Sequence, residues 1–460
     1  MNPDILSRIQ FGITIGFHII FPTLNIGLAT FLVIMEGLWL KTRNTEYLKI
    51  CKFWTKIFAL TFGMGVVSGV FLSYELGTNF NRFSEAFGGV LGPLFNYEVL
   101  SAFFLEAGFL GIMMFGWNRV KPKVHFSATL LVAVGTTISA FWIMSANSWM
   151  QTPAGYYIQE GRYIIDNWTQ AIFNPSFIPR FIHMLMSSYI SASFFIAGVS
   201  AWYIIKNQHT QLGKIGLKFA IIAALILMPI QIFMGDLVGL EVHHNQPLKT
   251  AAMEANWVTQ PGAPLVLFAL PDAEHETNRY EISIPYLASL INTHSLNGVL
   301  TGLDSAPKAD RPPILPVFFG FRIMVGIGLF LLLVAGTGVL LLARKKLFKS
   351  QRFLKLLMYC VPLGFIATIF GWITAEIGRQ PWAVYHLMRT NNATTVLPWT
   401  HVWLSLTAIT AIYLVIFGFY LYYLSKLIRK GPKDITEDMM LISYIPLPGE
   451  EPPIKRSFNS

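Results

Sequence analysis

The sequence predicts an all-α polytopic membrane protein with nine transmembrane helices, its N-terminus outside and its C-terminus in the cytoplasm. Three observations predict it. Of 460 residues, 54% are hydrophobic and only 13% charged, where an ordinary soluble domain carries about 25% charged. The mean hydropathy of +0.52 over that length exceeds what one buried core supplies. Several apolar runs of about 20 residues, each able to cross roughly 30 Å of hydrocarbon, do supply it. Third, the basic residues alternate between successive connections, which orients the chain.

The apolar segments fall at about 11–40, 56–77, 95–117, 124–147, 180–205, 216–241, 316–343, 354–377 and 398–425. The first, in "MNPDILSRIQFGITIGFHIIFPTLNIGLATFLVIMEGLWL", reads as a membrane helix rather than a leader peptide. Its apolar stretch is too long, contains His18 and has no small-residue cleavage site in place. No repeat or low-complexity tract interrupts the series, so residues 1–460 read as a single integral membrane domain. The longest connection, 242–315, is rich in Pro, Asn, His and charges of both signs, and loops of that length inside a compact fold are usually functional or disordered. It is expected to face outward, as is 148–179 with "NSWMQTPAGY".

One alternate set of connections holds Lys41, Arg43, Lys49, Lys52 and Lys56, then Arg119, Lys121 and Lys123, then Lys206, Lys214 and Lys218. Arg344, Lys345, Lys346, Lys349, Arg352 and Lys355 follow, with Lys426, Arg429, Lys430 and Lys433 after the last segment. These 21 residues compare with 11 in the other set, and Lys455 and Arg456 complete the 34. Basic residues collect on the cytoplasmic side, which places the N-terminus outside. In a membrane protein the net charge of +10 reflects those loops rather than nucleic acid. Cys51 and Cys360 form no C-x-x-C or C-x-x-C-H motif, so neither a disulfide frame nor covalently attached haem is indicated.

Ionisable side chains inside spans cost several kcal/mol unless paired. His18 lies in the first turns of segment one, Glu98 at the outer start of segment three, and His183 opens segment five. Met324 opens segment seven and Glu376 ends segment eight. Five potential metal ligands from five helices thus lie in the outer half of the membrane. Glu106 is eight residues deeper than Glu98, about 12 Å along a helix axis.

Each has a plainer explanation taken alone. A single His at a membrane interface serves as a hydrogen-bonded anchor, Met324 as core packing, and Glu376 beside Arg379 as an interfacial ion pair. Their shared depth favours metal, because imidazole and thioether are standard haem axial ligands. Solvated roles suffice for His209, His275 and His294. His125, at the inner mouth of segment four, caps that helix or takes up protons. The vicinal His243 and His244 resemble part of a copper site but lack the supporting histidines of a haem–copper centre.

Together these motifs resemble subunit I of the cytochrome bd family of quinol oxidases. The resemblance rests on "RIQFGITIGFHIIFP", "NYEVLSAFFLEAGFLG", "RFIHM", "QPLKTAAMEANW", "FRIMVG" and "GWITAEIGRQPW", and runs through nearly all nine spans. The short outer loop is similar to that of the branch often called cyanide-insensitive. The resemblance implies that His183 and Met324 are the axial ligands of a low-spin b haem. His18 and Glu376 would each hold one of two further haems, a high-spin b and a chlorin-type haem d or a b haem in its place, in an order left open. Glu98 and Glu106 would be catalytic, the first at the oxygen-reducing site and the second delivering protons. Lys249 and Glu254 would engage quinol, making 242–315 a quinol-binding loop. Trp372, Arg322 and Arg379 would support the haem pocket, Trp372 one turn before Glu376 on the same helix face.

The implied function is a copper-free, electrogenic quinol:oxygen oxidoreductase in the bacterial cytoplasmic membrane. It would oxidise ubiquinol or menaquinol at the outer face and reduce dioxygen with cytoplasmic protons. Its partners would be a second large membrane subunit, with a small single-span subunit as an optional third, and the lipid bilayer, with no nucleic acid. Two rival readings are a secondary transporter, which usually shows inverted repeats and midplane sites, and a diheme b-type electron-transfer subunit, which calls for two His–His pairs.

Overall fold

A computed structural model describes residues 3–433, so Lys455, Arg456 and the predicted cytoplasmic C-terminus lie outside the described residues. Among the described residues nine helical spans are long and apolar enough to cross a membrane, as expected. The first is made of α1 (Pro3–His18) and α2 (Ile20–Thr42). Pro22 explains the break between them: it has no N–H to offer the His18 carbonyl four residues back, and its ring clashes there. The chain therefore hitches at the residue whose side chain the sequence singles out. α3 (Thr45–Thr78) starts on Asn44, whose side chain accepts the Glu46 N–H at 2.9 Å, a standard N-cap.

The third span departs most from expectation. It begins at Asn81, not near 95, as α4 (Asn81–Glu98). It then passes through a π-turn (Val99–Phe103) into α5 (Phe104–Phe115). The run "NRFSEAFGGVLGPL" reads as a loop because Gly, Pro and charges interrupt it. In the fold, Phe83, Phe87, Val90, Leu91 and Leu94 give it one buried face, and that tertiary packing outweighs the weak local propensity.

α6 (Pro122–Gln151) is followed by the hairpin β1 (Tyr156–Gln159) and β2 (Arg162–Ile165) and by the short α7 (Trp168–Ile172). Next come α8 (Phe177–Ile205) and α9 (Thr210–Asn245). The expected loop 242–315 opens with α10 (Pro247–Glu254). β3 (Gln260–Pro261), β4 (Leu265–Asp272), β5 (Thr277–Ile284), α11 (Leu287–Thr293) and β6 (Val299–Leu300) follow. It is a folded cap, with β4 antiparallel to β5 and β3 to β6. α12 (Ile314–Ala343) is the seventh span, and α13 (Gln351–Cys360) with α14 (Leu363–Ile377) the eighth, broken at Pro362. β7 (Trp382–Val384), β8 (Met388–Arg389) and α15 (Thr390–Ala393) precede the ninth, α16 (Trp399–Lys430).

Lipid offers no hydrophobic drive between helices, so close approach and hydrogen bonding must hold the bundle. α8 packs along α9 with its small residues, and a Cβ on Gly216 would run into the Ser200 hydroxyl. The largest core cluster gathers Phe21, Phe31, Trp54, Phe58, Phe194 and Tyr203 from α2, α3 and α8. At one end of the bundle the long connections interlock. Arg389 meets the Ala309 carbonyl at 3.1 Å, Gln246 reaches the Gln151 carbonyl at 2.8 Å, and Arg8 reaches Gln380 at 3.2 Å. This capped face lies opposite the face that carries most of the basic residues.

Candidate functional site

α6 organises the polar interior. Its residues Gly135, Ser139, Asn147 and Gln151 fall at multiples of four, a stripe that winds slowly around the helix. Each meets a carboxylate. Ser139 Oγ donates to Glu98 at 2.7 Å. Asn147 and Gln151 donate to the same Glu376 oxygen at 2.9 and 3.2 Å. Gly135 has no side chain because Glu106 needs the space: a Cβ there would sit 2.7 Å from Glu106 Cγ. Glu98 and Glu106 thus touch α6 only one turn apart, about 6 Å along its axis. That is closer than their eight-residue spacing suggests, and the intervening π-turn keeps both on the α6 side. π-turns of this kind often mark functional sites.

Glu376 is the hub of the capped end. Its second oxygen lies 2.6 Å from the Arg379 guanidinium, so the plain ion pair exists. Lys249 donates to Gln151 Oε1 at 2.7 Å, placing it behind the same carboxylate. Arg180, on α8, bonds Glu241 of α9 at 3.2 Å. Two guanidiniums and the Lys249 amine therefore gather around two carboxylates, and Arg180 Nε and Arg379 Nη1 are buried without a partner. Such a cluster suits an added anion.

Burial, with Arg180 and Arg379 adding like charge, holds the Lys249 ammonium well below the ordinary lysine range despite Glu376 and Glu241. The unfolded chain then binds a proton that the folded chain has released, in a window ending near the ordinary lysine value of about 10.4. Stability rises with pH through that window. Melting curves of the detergent-purified protein should show wild type gaining on Lys249→Met as pH is raised from neutral toward 10. A flat difference would contradict the assignment.

The imidazole and thioether donors each face a glycine. His18 Nδ1 is 2.9 Å from Ser68 Oγ of α3, and a Cβ on Gly69 would lie 3.5 Å from its ring. His183 Nε2 is 3.2 Å from the Gln231 amide nitrogen of α9, while its Nδ1 and Gln231 Oε1 are buried without partners. A Cβ on Gly235 would sit 3.3 Å from His183 Cε1, and one on Gly371 would sit 2.8 Å from Met324 Sδ. α8, α9, α12 and α14, which carry these residues, pack together. Donors of this chemistry, bordered by bare backbone and unsatisfied buried polar atoms, fit a flat metal-bearing ring.

Several expected residues take particular partners. Glu254 accepts Arg322 at 2.7 Å and Asn292 at 3.3 Å, whereas Lys249 turns to Gln151. Both lie buried on α10, yet they are bonded to different neighbours rather than to each other. Arg322 also donates to the Val266 carbonyl at 2.7 Å and covers the Phe318 ring, so it ties the α12 turn bearing Met324 to the cap. Trp372 stands one turn before Glu376 on α14, half-buried. His294 pairs with Asp236 at 3.1 Å. His243 Nδ1 is buried without a partner. His125, expected to cap its helix or take up protons, is buried against Glu36 at 2.6 Å.

Sequence reasoning passed over Ser68, Ser139, Asn147 and Gln151, and the carboxylates Glu36 and Glu75. Glu75 is fully buried and accepts Thr14 at 2.7 Å and Gln10 at 3.1 Å. The available signal was polar residues recurring at helical spacing inside apolar runs.

The chain is similar to known proteins in both sequence and fold. The family described as cytochrome bd terminal oxidase subunit I matches residues 6–432. "Cytochrome bd ubiquinol oxidase subunit 1" of Bacillus subtilis (strain 168) is 36% identical over 401 residues, 85% of this chain and 86% of that one. "Cytochrome bd-II ubiquinol oxidase subunit 1" of Escherichia coli (strain K12) is 31% identical over 505 residues, covering 94% of this chain and 98% of that one. The fold is similar to the solved bd oxidase of Geobacillus thermodenitrificans, with a TM-score of 0.88 and 31% identity over 94% of this chain and 99% of that chain.

Proposed function

The chain belongs to the cytochrome bd terminal oxidase subunit I family, and on that premise we propose that it oxidises quinol at the outer face and reduces dioxygen to water with protons drawn from the cytoplasm. Membership makes it a multi-pass membrane subunit of a terminal quinol oxidase, implies haem cofactors, and implies a partner subunit. The finer reading covers haem types, residue roles and proton routing. It is supported above all by one observation: imidazole and thioether donors are each bordered by a glycine, in a chain that also holds a partly buried carboxylate against Arg379, Asn147 and Gln151.

In this reading His183 and Met324 would hold a low-spin b haem. His18 and Glu376 would hold a high-spin b haem and a haem d, or a b haem in its place, in either order, with no copper taking part. When bound, these groups supply stepwise electron transfer and the reduction of dioxygen. The chain's own side chains do the rest. Ser68 sets the His18 tautomer through Nδ1 and leaves Nε2 as the donor. Arg379 and Arg180 offer charge to propionates through their unpartnered N–H groups, and Lys249 adds an N–H donor. Trp372 shields the Glu376 side of the pocket.

Glu106 takes up protons arriving from the cytoplasmic side and hands them to Glu98, one α6 turn away, which Ser139 orients. Each charge moved across the bilayer stores about 2.3 kcal/mol per 100 mV. At the outer face the cap 242–315 binds quinol, with Lys249 and Glu254 presented by α10. The chain lies in the bacterial cytoplasmic membrane beside a second large subunit and, in some assemblies, a small single-span one.

The quinol assignment has a direct test. Glu254→Ala removes the acceptor that Arg322 and Asn292 position. Quinol-driven oxygen consumption by the purified complex should fall by roughly tenfold or more, while an artificial electron donor to the haems still supports it. Equal loss with both donors would take Glu254 out of the quinol site and leave it a brace for the cap.

A further inference from the structure

We propose that Glu36 and His125 form a proton-holding pair at the basic-face end of the α5–α6 seam, from which Glu106 is recharged; the proposal rests on the functional reading above. The two residues come from α2 and α6, and both are 1% exposed. His125 Nδ1 lies 2.6 Å from Glu36 Oε1, Thr129 donates to Glu36 Oε2 at 2.6 Å, and His125 Nε2 lies 3.1 Å from the Met113 carbonyl of α5. A carbonyl only accepts, so Nε2 must carry a hydrogen. One further proton is then shared between Nδ1 and Oε1. Written as imidazolium and carboxylate, or as imidazole and carboxylic acid, the pair holds that proton and is neutral.

This arrangement sets the pair's resting state. Losing the proton leaves a buried carboxylate with no cation beside it, and gaining another leaves an uncompensated imidazolium; both are costly. The pair therefore returns to one proton after any transfer, as a relay must. A simple tie between helices does not need a titratable couple, and apolar packing of the same shape stabilises as well or better.

The position suits the role. Met113 is two turns from Glu106 on α5, about 10 Å, a distance that a few bridging waters span. Thr129, which holds Glu36, lies on the same helix as Gly135, which borders Glu106. On the other side Trp117, in the connection between α5 and α6, covers the imidazole with ring centroids 3.7 Å apart, and Lys52 of α3 stands over the indole at 5.8 Å. The other titratable group facing Glu36 is Cys51, buried on α3. In the step proposed, the proton moves from the Nδ1–Oε1 site through water to the Glu106 carboxylate. A proton from the cytoplasm, passing Trp117, then refills the site. No electron moves.

The test uses the intact complex. Fully reduced enzyme is mixed with oxygen while a pH-indicating dye follows proton uptake, and haem reduction by quinol is followed separately without oxygen. Glu36→Gln should leave haem content and anaerobic reduction within about twofold of wild type and slow proton uptake about tenfold or more. Where Glu36→Gln fails to assemble, Thr129→Val carries the test, because it leaves the pair in place and removes only the donor to Oε2; uptake should then slow severalfold. Uptake at the wild-type rate in an assembled variant overturns the proposal, leaving the pair a structural tie. A wild-type complex without haem or oxygen consumption would instead defeat the functional reading.

Discussion

Met324→Leu should abolish the low-spin b-haem signature in the reduced spectrum while leaving the other pigments in place. The substitution conserves volume and costs little packing, less than about 1.5 kcal/mol, so the bundle should still assemble. What it removes is the thioether, the only donor atom of that side chain. Met324 Sδ points at bare backbone on α14, where a Cβ on Gly371 would approach to 2.8 Å. Its helix turn is fixed to the cap by Arg322, bonded to Glu254 and to the Val266 carbonyl. On the proposed assignment, an iron left with His183 alone would change spin state and potential. Quinol oxidation, proposed to enter through that haem, should fall by more than roughly tenfold, since even outer-shell changes at metal sites cost about 10–100-fold. An unaltered reduced spectrum would remove Met324 from the ligand set.

Glu106→Gln should have an effect of similar size at the other end of the reaction. The amide fits the same space against Gly135 but carries no transferable proton, so oxygen reduction should slow by about 10²-fold or more. Reduction of the haems by quinol without oxygen should stay near normal, because Glu106 touches neither α10 nor the His183–Gln231 contact. Stopped-flow spectra in the two half-reactions separate these steps. If both slowed together, Glu106 would be a packing residue for α5 and α6 rather than a proton carrier.

The membrane architecture was legible because nine apolar runs need no tertiary information. Ends were less so. α4 lies hidden in Asn81–Leu94, where Gly88, Gly89, Gly92 and Pro93 argue against a helix and only the buried Phe83–Leu94 face argues for one. The hitch at His18 was readable in principle from Pro22, four residues on.

Of the candidate site, the sequence yielded the donors but not their settings. Glu376 beside Arg379 was visible in "AEIGRQPW", and that ion pair is present. Asn147 and Gln151 are more than 220 residues away in sequence, and no local pattern joins them to it. Glu36 escaped notice for the same reason: its partners His125 and Thr129 lie on α6. Lys249 and Glu254 looked like one unit because they share a short motif. The fold turns them toward different neighbours, since five residues along a helix bring side chains to well-separated faces.

The central claim is that His18, His183, Met324 and Glu376 seat haem irons inside this chain. The redox difference spectrum of the intact complex, followed by extraction and identification of its pigments, tests it most directly. The account predicts b-type bands together with a far-red chlorin band and two protohaems recovered for each chlorin, or a third protohaem in the chlorin's place. A colourless complex, or one yielding b haem with no third iron site, would contradict it.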